Sequence, residues 1–437
     1  MKKRLLLIQP GNGLRKGLIS TQSKYPPTGL GVIASLTPDN WDVEIVNSSH
    51  DDYLNKEVDL VGITAYTSTS YQAYQIAEYF KSKNIPVVMG GIHATLMPQE
   101  ASNYVDVVVV GEAEGSWATV LKDFENKELK SIYHSEFCPP EKISPSKHSI
   151  ISNGYNLSTI QASRGCPFNC HYCSVSIVNG TNVRLRPIPG IINEWQTIDN
   201  KFIWFADDNL FGYSKTAKKW AKDLFTEIAK LKTQKNWMCF AHVNSLLDEK
   251  TLELAAQSGC KLIYIGFESE DLESLKSMNK DTRQINSYAK VIHLLHKYGI
   301  SVLAGIMLGF DNDTPDSISR RIDYVLDSDI DSYFLSVVTP LPGTRFFERM
   351  QKEGRLMYNN YPKDWEHFDW ANLVHKPMFM TFDEAEKAIY KAYEKAYSIS
   401  NIKKKYKQSV VNLNSEDTAY LNYLSNMDFR EIYFKKK

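Results

Sequence analysis

Short apolar runs separated by amphipathic stretches set the pattern of the chain from its first residues. Leu5 to Ile8, Val43 to Val46, Leu60 to Ala65, Pro86 to Met89 and Val105 to Val110 are rich in valine and isoleucine and are followed closely by Gly, Ser or Asn. Continuous short runs of this kind predict strands buried on both faces, as in a parallel sheet. Between them, Ser70 to Lys83 and Ser116 to Glu125 carry apolar residues at helical spacing. The alternation predicts an open, doubly wound α/β domain over residues 1–135. Residues 126 to 157, with Cys138-Pro139-Pro140, show no period, and 136–157 reads as a linker. Six further strand candidates alternate with helices: Ser158 to Ser163, Phe202 to Ala206, Trp237 to Ala241, Leu262 to Phe267, Val302 to Met307 and Phe334 to Val338. They predict an incomplete α/β barrel of six parallel strands over residues 158–350. In the remainder, 351–437, Thr381 and Glu384 form a capping box for a helix reaching about Ile399, and Ser415 to Phe434 predicts one more packing helix. This last part reads as a small, mainly helical C-terminal domain.

A length of 437 residues agrees with about two to four domains, and 43% apolar with 12% aromatic residues describes a well-filled globular protein. Lys plus Arg and Asp plus Glu both number 51, so no global field favours nucleic acid or an anionic membrane. The runs Lys403 to Lys407 and Lys435 to Lys437 read as solvated ends. Six cysteines, of which only three are clustered, indicate a reducing compartment and not a disulfide framework. Cys239 and Cys260 read as small core hydrophobes. The N-terminus lacks the long apolar region of a signal peptide, and no stretch approaches the roughly 20 apolar residues of a membrane span. The expected location is the cytoplasm.

The strongest chemical signal is Ser163-Arg164-Gly165-Cys166-Pro167-Phe168-Asn169-Cys170-His171-Tyr172-Cys173. Thiolates spaced C-x3-C-x2-C suit three irons of a four-iron cubane and leave the fourth iron without a cysteine, open to a small chelating ligand. A structural zinc site usually brings paired C-x2-C units, and no second pair occurs in the chain. The stretch resembles the cluster motif of the radical S-adenosylmethionine (SAM) superfamily. The resemblance implies a 4Fe-4S cluster on Cys166, Cys170 and Cys173, with SAM chelated at the free iron and Tyr172 near its adenine. In that superfamily the cluster donates an electron that splits SAM into methionine and a 5′-deoxyadenosyl radical.

In an open α/β sheet, ligands bind outside the carboxyl ends of the strands. The loops there are Gln9 to Gly13, Thr67 to Ser70, Gly90-Gly91-Ile92-His93-Ala94-Thr95 and Gly111-Glu112-Ala113-Glu114, whose glycines and hydroxyls suit a large, amide-fringed ligand. Together with Tyr25-Pro26-Pro27-Thr28-Gly29-Leu30, these loops resemble the cobalamin-binding domain of the B12-dependent radical SAM class. The resemblance implies cobalamin contacts at Pro27, Gly29, Thr67, Ser68, Thr69, Gly90, Gly91, His93, Gly111 and Glu112. The D-x-H-x-x-G signature that puts a histidine on cobalt elsewhere is absent, and His50 has no such context. For His93, two readings stand: a cobalt ligand, or a loop histidine that packs on the corrin or bonds backbone.

At the carboxyl ends of the barrel strands lie Asp207-Asp208-Asn209, Glu268-Ser269, Gly305 and Gly309, and Pro340 to Thr344. Carboxylates suit sugar hydroxyls and an ammonium, and glycines permit backbone contact with adenine. By resemblance, Asp207, Asp208, Glu268, Ser269 and Gly305 contact SAM. Helix capping before Lys215 to Leu231 is the competing role for Asp207 or Asp208. His242 either meets substrate or satisfies a buried hydrogen bond. The aromatic stretch around Trp365, His367 and His375 resembles the C-terminal extension of relatives that include hopanoid methylases, and is either a substrate-pocket lining or an aromatic core plug.

These features imply a cobalamin-dependent radical SAM enzyme, with methylation of an unactivated carbon by way of methylcobalamin as the first expectation. The substrate is a small molecule, lipid or peptide, and an external electron donor such as flavodoxin or ferredoxin is needed. A non-methylating B12 radical SAM enzyme, catalysing cyclisation, rearrangement or coupling, carries the same motifs. A corrinoid or redox carrier with a degenerate barrel is the non-enzymatic alternative, against which all three cysteines and Glu268 argue. A methylthiotransferase is disfavoured because no cysteine precedes Cys138. No basic groove with interleaved aromatics points to RNA.

Overall fold

The computed structural model describes residues 2–11, 25–48, 52–151 and 154–434. Strands β1 (Lys3–Pro10), β2 (Trp41–Ser48), β3 (Leu60–Thr64), β4 (Val87–Gly90), β5 (Val107–Val110) and β6 (Ile132–His134) form one sheet in the order β2-β1-β3-β4-β5-β6. Every pairing is parallel. Leu6 and Ile8 of β1 join the core on one face, and Leu5 and Leu7 join the core on the other. Helices on both sides explain why these strands read as unbroken apolar runs. Strand order reverses between β1 and β3, the place where such sheets gather ligand loops. Strand β6 lies in the stretch read as aperiodic, since three residues are too few to show a period.

The chain continues with β7 (Ser158–Ile160), β8 (Ser163–Arg164), β9 (Arg184–Leu185), β10 (Phe202–Phe205), β11 (Asn236–Ala241), β12 (Cys260–Glu268), β13 (Ser301–Leu308) and β14 (Ser332–Val337). Strands β8 and β9 pair as a short antiparallel ribbon. The other six form a parallel sheet, β14-β13-β12-β11-β10-β7, which is the expected partial barrel. Its outward residues, among them Ile203, Phe205, Trp237, Cys239, Ile263 and Ile265, are wholly buried beneath the surrounding helices. Alternate residues, Trp204, Met238, Phe240 and Tyr264, point to the concave side and stay partly accessible.

Three helices follow, Phe382–Ala396, Ile399–Leu413 and Glu416–Phe434. They cover the open edge of the barrel sheet at β14. The Tyr333 N–H donates to Asn426 Oδ1 (3.2 Å) and the Leu335 N–H donates to the Tyr397 hydroxyl (3.1 Å). An uncovered edge strand would leave these donors free for misplaced pairing. The middle helix corrects the reading of Lys403 to Lys407 as a solvated end. Lys405 is fully buried, donates to the Ser328 carbonyl (2.6 Å), and is pushed by burial down to about 8. Lys403, Lys404 and Lys407 are exposed, and Lys435 to Lys437 lie outside the described residues. Among the described residues, no helix is long and apolar enough to cross a membrane.

Candidate functional site

The cysteine loop leaves β8 through Gly165, whose φ of +102° suits glycine and whose Cβ, if present, would lie 2.3 Å from the Asn182 carbonyl oxygen. Backbone hydrogen bonds fix the loop at several points. The Cys166 N–H donates to the Gly180 carbonyl (3.1 Å), the His171 N–H to Met278 (2.9 Å), and the Phe346 N–H to the His171 carbonyl (2.9 Å). The Asn279 side chain donates to the Asn169 carbonyl (2.9 Å). Burial pushes the Cys173 thiol up to about 12, and the charges that Cys170 and Cys166 would carry push it the same way. Burial also raises Cys170. Crowded, desolvated thiols resist ionising together, and a cationic cluster removes that conflict. Among the described residues, no three Cys, His or carboxylate side chains stand close enough to share one ion. A single zinc draws its thiolates to about 2.3 Å from one centre, whereas a cubane binds each cysteine at a different iron. Three thiols on one short loop, spaced C-x3-C-x2-C, are a donor set that fits a cluster. The Tyr213 hydroxyl lies 3.5 Å from Cys166 Sγ.

Glu268 ends β12 with φ at +64°. Its Oε1 accepts from the Tyr172 hydroxyl (3.1 Å) and from Lys280 Nζ (3.0 Å), which ties the strand end to the cysteine loop. Burial disfavours the Lys280 charge, but Glu268 and Cys170 hold its ammonium above the ordinary lysine value. The Ser269 hydroxyl accepts from the Asp271 N–H (3.0 Å). Gly305 lies beneath the Tyr264 hydroxyl, 2.2 Å from where its Cβ would be.

Both aspartates after β10 support the cysteine loop. Asp207 accepts from the Ser163 hydroxyl (2.6 Å) and the Ala162 N–H (3.2 Å), and burial pushes it up to about 7. Asp208, pushed by burial up to about 6, accepts from the Asn179 side chain and the Gly165 N–H. Neither caps the following helix, because Ser214 does so by accepting from the Ala217 N–H (3.1 Å). His242 stacks on Phe168 of the cysteine loop with centroids 4.8 Å apart. Its Nδ1 accepts from the Asn244 N–H (3.3 Å), and burial pushes it down to about 4, so the ring is neutral.

At the carboxyl edge of the first sheet, Thr67, Ser68 and Thr69 follow β3, Gly90 and Gly91 end β4, and Gly111 follows β5. Among the described residues, the buried Ser68 hydroxyl has no hydrogen-bond partner. A Cβ on Gly29 would meet nothing within 4 Å, and one on Gly90 would meet only a 3.8 Å contact. An orphan donor and open backbone suit an amide-fringed corrinoid. Gly91 (φ +90°) and Gly111 (φ +88°) are demanded by their turns. Pro27 is buried at the start of the helix Thr28–Leu36. Asn12, Gly13 and His50 lie outside the described residues.

Two residues expected at the cobalamin edge have other partners. Glu112 forms a bidentate pair with Arg184, meets Arg164 Nη1 at 3.1 Å and accepts from the Cys138 N–H (2.7 Å). Glu114 accepts from Arg164 Nη2 (2.7 Å). The ribbon beside the cysteine loop is thus bolted to the loop after β5. Sequence reasoning assigned no role to Arg164, Arg184 or Lys280, because single cations carry no spacing signal. His93 is fully buried, with Nε2 donating to Glu100 (3.2 Å) and lying 3.0 Å from the Tyr74 hydroxyl, and Nδ1 lying 3.5 Å from Thr67 Oγ1. Both ring nitrogens of His93 thus face protein side chains.

The aromatic C-terminal stretch forms a plug. Trp365 is fully buried, donates to both Glu100 oxygens at 3.1 Å, stacks on Tyr361 at 3.7 Å and meets His93 edge-on at 5.7 Å. His367 stacks on Tyr358 at 3.9 Å. His375 is buried, donates from Nε2 to the Gly309 carbonyl (3.1 Å) and is pushed by burial down to about 4.

Residues 14–121 match the B12 binding domain family, and residues 160–325 match the radical SAM superfamily. The chain is 28% identical to bacteriochlorophyllide d C-12(1)-methyltransferase of Chlorobaculum tepidum, over 99% of this chain and 94% of that one. It is 27% identical to hopanoid C-2 methylase of Rhodopseudomonas palustris, covering 77% and 66%. It is 22% identical to the anaerobic magnesium-protoporphyrin IX monomethyl ester cyclase of Rubrivivax gelatinosus, covering 90% and 77%. Its fold superposes on the radical SAM methyltransferase TsrM of Kitasatospora setae with a TM-score of 0.68 at 15% identity, covering 89% of each chain.

Proposed function

Because the chain belongs to the radical SAM superfamily, in the class that carries an N-terminal B12-binding domain, we propose that it is a cobalamin-dependent methyltransferase acting on an unactivated carbon of a small apolar molecule. Relatives named for methylating a bacteriochlorophyllide and a hopanoid, both ring systems, support the reaction and the substrate class. The observation that carries the reading is the bolt between the two halves. Arg164 and Arg184, which flank the cysteine loop, pair with Glu112 and Glu114 at the carboxyl edge of the first sheet, so the two cofactor edges are held against each other.

In this reading Cys166, Cys170 and Cys173 hold the 4Fe-4S cluster. Tyr172, Glu268, Ser269 and Gly305 surround SAM, while Asp207 and Asp208 hold the loop that presents the cysteines. Pro27, Gly29, Thr67, Ser68, Thr69, Gly90, Gly91 and Gly111 border cobalamin. When bound, the cluster with SAM supplies a radical that removes a hydrogen atom from substrate, and cobalamin supplies the methyl group. The protein orients these groups and excludes water. Lys280, beside both Glu268 and Cys170, offers a fixed cation near the cysteine loop, and neutral His242 supports that loop through Phe168. A flavodoxin or ferredoxin would deliver the electron, and a reducing cytoplasm suits three unpaired thiols.

Cyclisation is the second reading, favoured by the cyclase relative that spans 90% of this chain. Reconstituted protein, SAM and a low-potential reductant test the assignment. SAM cleavage together with a substrate gaining one methyl group is expected, and a product of unchanged carbon count would favour cyclisation. Cys170→Ala should abolish SAM cleavage and leave corrinoid bound; loss of both would show that the two cofactor sites do not fold separately.

A further inference from the structure

We propose that the concave face of the barrel is a receptor for a flat, uncharged aromatic ring system, packed against the faces and edges of Trp204, Phe240 and Tyr264 and closed at one end by Tyr25 of the first domain. The inference deepens the reading of the chain as a radical enzyme acting on a small molecule, and rests on it.

Four observations carry it. First, the barrel has two unlike faces. The outward layer is sealed under helices, whereas Trp204, Met238, Phe240, Tyr264 and Phe334, on the inner face, all retain access. Large apolar side chains left accessible on a concave wall mark a ligand surface more than a packing defect.

Second, the rings form a continuous wall. Tyr25 lies 4.7 Å from Trp204, Trp204 lies 5.5 Å from Phe240 at 82°, and Phe240 lies 4.8 Å from Tyr264 at 76°. Edge-to-face contacts between neighbours turn successive rings by about a right angle, and aromatic ligands pack well against such alternating edges and faces. Tyr264 lies across β13 because Gly305 has no side chain there. Phe334, 5.2 Å from Phe429 of the last helix, stands on the other side of the barrel.

Third, the middle of the wall is built of uncharged residues. Those in register across it are Trp204 with Met238, Phe240 with Tyr264, Tyr264 with Leu303, and Gly305 with Phe334. An ionised group brought against these rings would be desolvated. Charge stands at the ends, where Asp428 acts on Tyr25 and Glu268 is matched by Lys280.

Fourth, among the described residues the buried Trp204 Nε1 donor has no partner. A buried indole N–H ordinarily finds an acceptor, and a ring carbonyl or ring nitrogen on the ligand would supply one. Tyr25 immediately precedes the Pro26-Pro27 stretch of the first domain, so both domains contribute to the wall.

The test measures binding to full-length protein loaded with cluster and cobalamin, by ultrafiltration and chromatographic quantification. The probes are methyl pheophorbide a, a flat aromatic macrocycle whose carboxyl is esterified and uncharged, and cholestanol, a saturated ring system supplied from cyclodextrin. Wild type should bind methyl pheophorbide a at least about tenfold more tightly than cholestanol. Trp204→Leu and Phe240→Leu should each weaken pheophorbide binding about tenfold, with iron, sulfide and corrinoid contents unchanged. Trp204→Phe, which keeps an aromatic face but loses the N–H, should weaken binding about threefold, less than Trp204→Leu. Phe379→Ser, at an exposed ring outside the barrel, should have no effect. Equal binding by the leucine variants, or preference for cholestanol, overturns the proposal. Intact SAM cleavage with no aromatic binding overturns the receptor and leaves the radical assignment standing. Pheophorbide binding without SAM cleavage does the reverse.

Discussion

Replacing Trp365 by phenylalanine removes one N–H from a buried network while keeping most of the ring. Trp365 Nε1 stands 3.1 Å from each oxygen of Glu100, which also accepts from the Tyr74 hydroxyl (3.0 Å) and His93 Nε2 (3.2 Å). Burial works against the Glu100 charge, yet the bonds from His93, Trp365 and Tyr74 hold its carboxyl below the usual glutamate value. A hydrogen bond to a charged acceptor contributes about 1.5–3 kcal/mol. Losing part of the indole beside Tyr361 and His93 adds about 1 kcal/mol of packing, so the total expected is about 3 kcal/mol. A chain of several domains does not unfold in one step, so local opening is the appropriate observable. Hydrogen exchange followed by mass spectrometry should show faster exchange in residues 67–82, 92–101 and 358–370, with strands β12 and β13 unaffected. In a Glu100→Gln background the same substitution should cost at least about 1 kcal/mol less. Unchanged exchange in Trp365→Phe, or full additivity with Glu100→Gln, would refute the plug and return Trp365 to the substrate pocket.

Three further outcomes follow from the same geometry. Glu112 is held below the ordinary glutamate value, against the effect of burial, by Arg184, Arg164 and the Cys138 N–H. Its stabilisation is present above the unfolded value of about 4.3 and is lost as pH falls through the lower folded value, so protection of the β8–β9 ribbon against hydrogen exchange should fall below about pH 4. Glu112→Gln should lower that protection at pH 7 and flatten its pH dependence; parallel curves would contradict the ion pairs. Gly165→Ala forces a Cβ toward the Asn182 carbonyl at a φ of +102° and should cut iron content after reconstitution, while circular dichroism stays unchanged. Lys280→Met leaves Glu268 buried without its cation; it should lower protection against hydrogen exchange at the end of β12 and in the cysteine loop by the equivalent of about 3 kcal/mol and weaken SAM binding.

The two sheets were legible because buried parallel strands leave an unmistakable trace, short Val- and Ile-rich runs ended by glycine or a small polar residue. The cysteine loop was legible because cluster ligation needs a local spacing. What the sequence concealed was long-range pairing. Asp207, Glu112 and His93 stand beside plausible ligand edges in the sequence, but their partners Ser163, Arg184 and Glu100 lie 44, 72 and 7 residues away. The polar type of a residue is visible in sequence, whereas the group that satisfies it is not. Lys405 illustrates the same limit, since a run of lysines reads as solvent-facing until a helix turns one of them toward the Ser328 carbonyl. Short elements such as β6 and the β8–β9 ribbon fall below the length at which a period can be seen.

The central claim is that one chain holds a cluster and a corrinoid face to face. The most direct measurement is the anaerobic ultraviolet–visible spectrum of protein reconstituted with iron, sulfide and hydroxocobalamin, after gel filtration has removed unbound cofactor. The account expects near-stoichiometric corrinoid absorbance together with cluster absorbance, and loss of the cluster component alone in Cys170→Ala. A cluster without corrinoid would contradict it, and methyl transfer through cobalt would give way to a simpler radical SAM reaction.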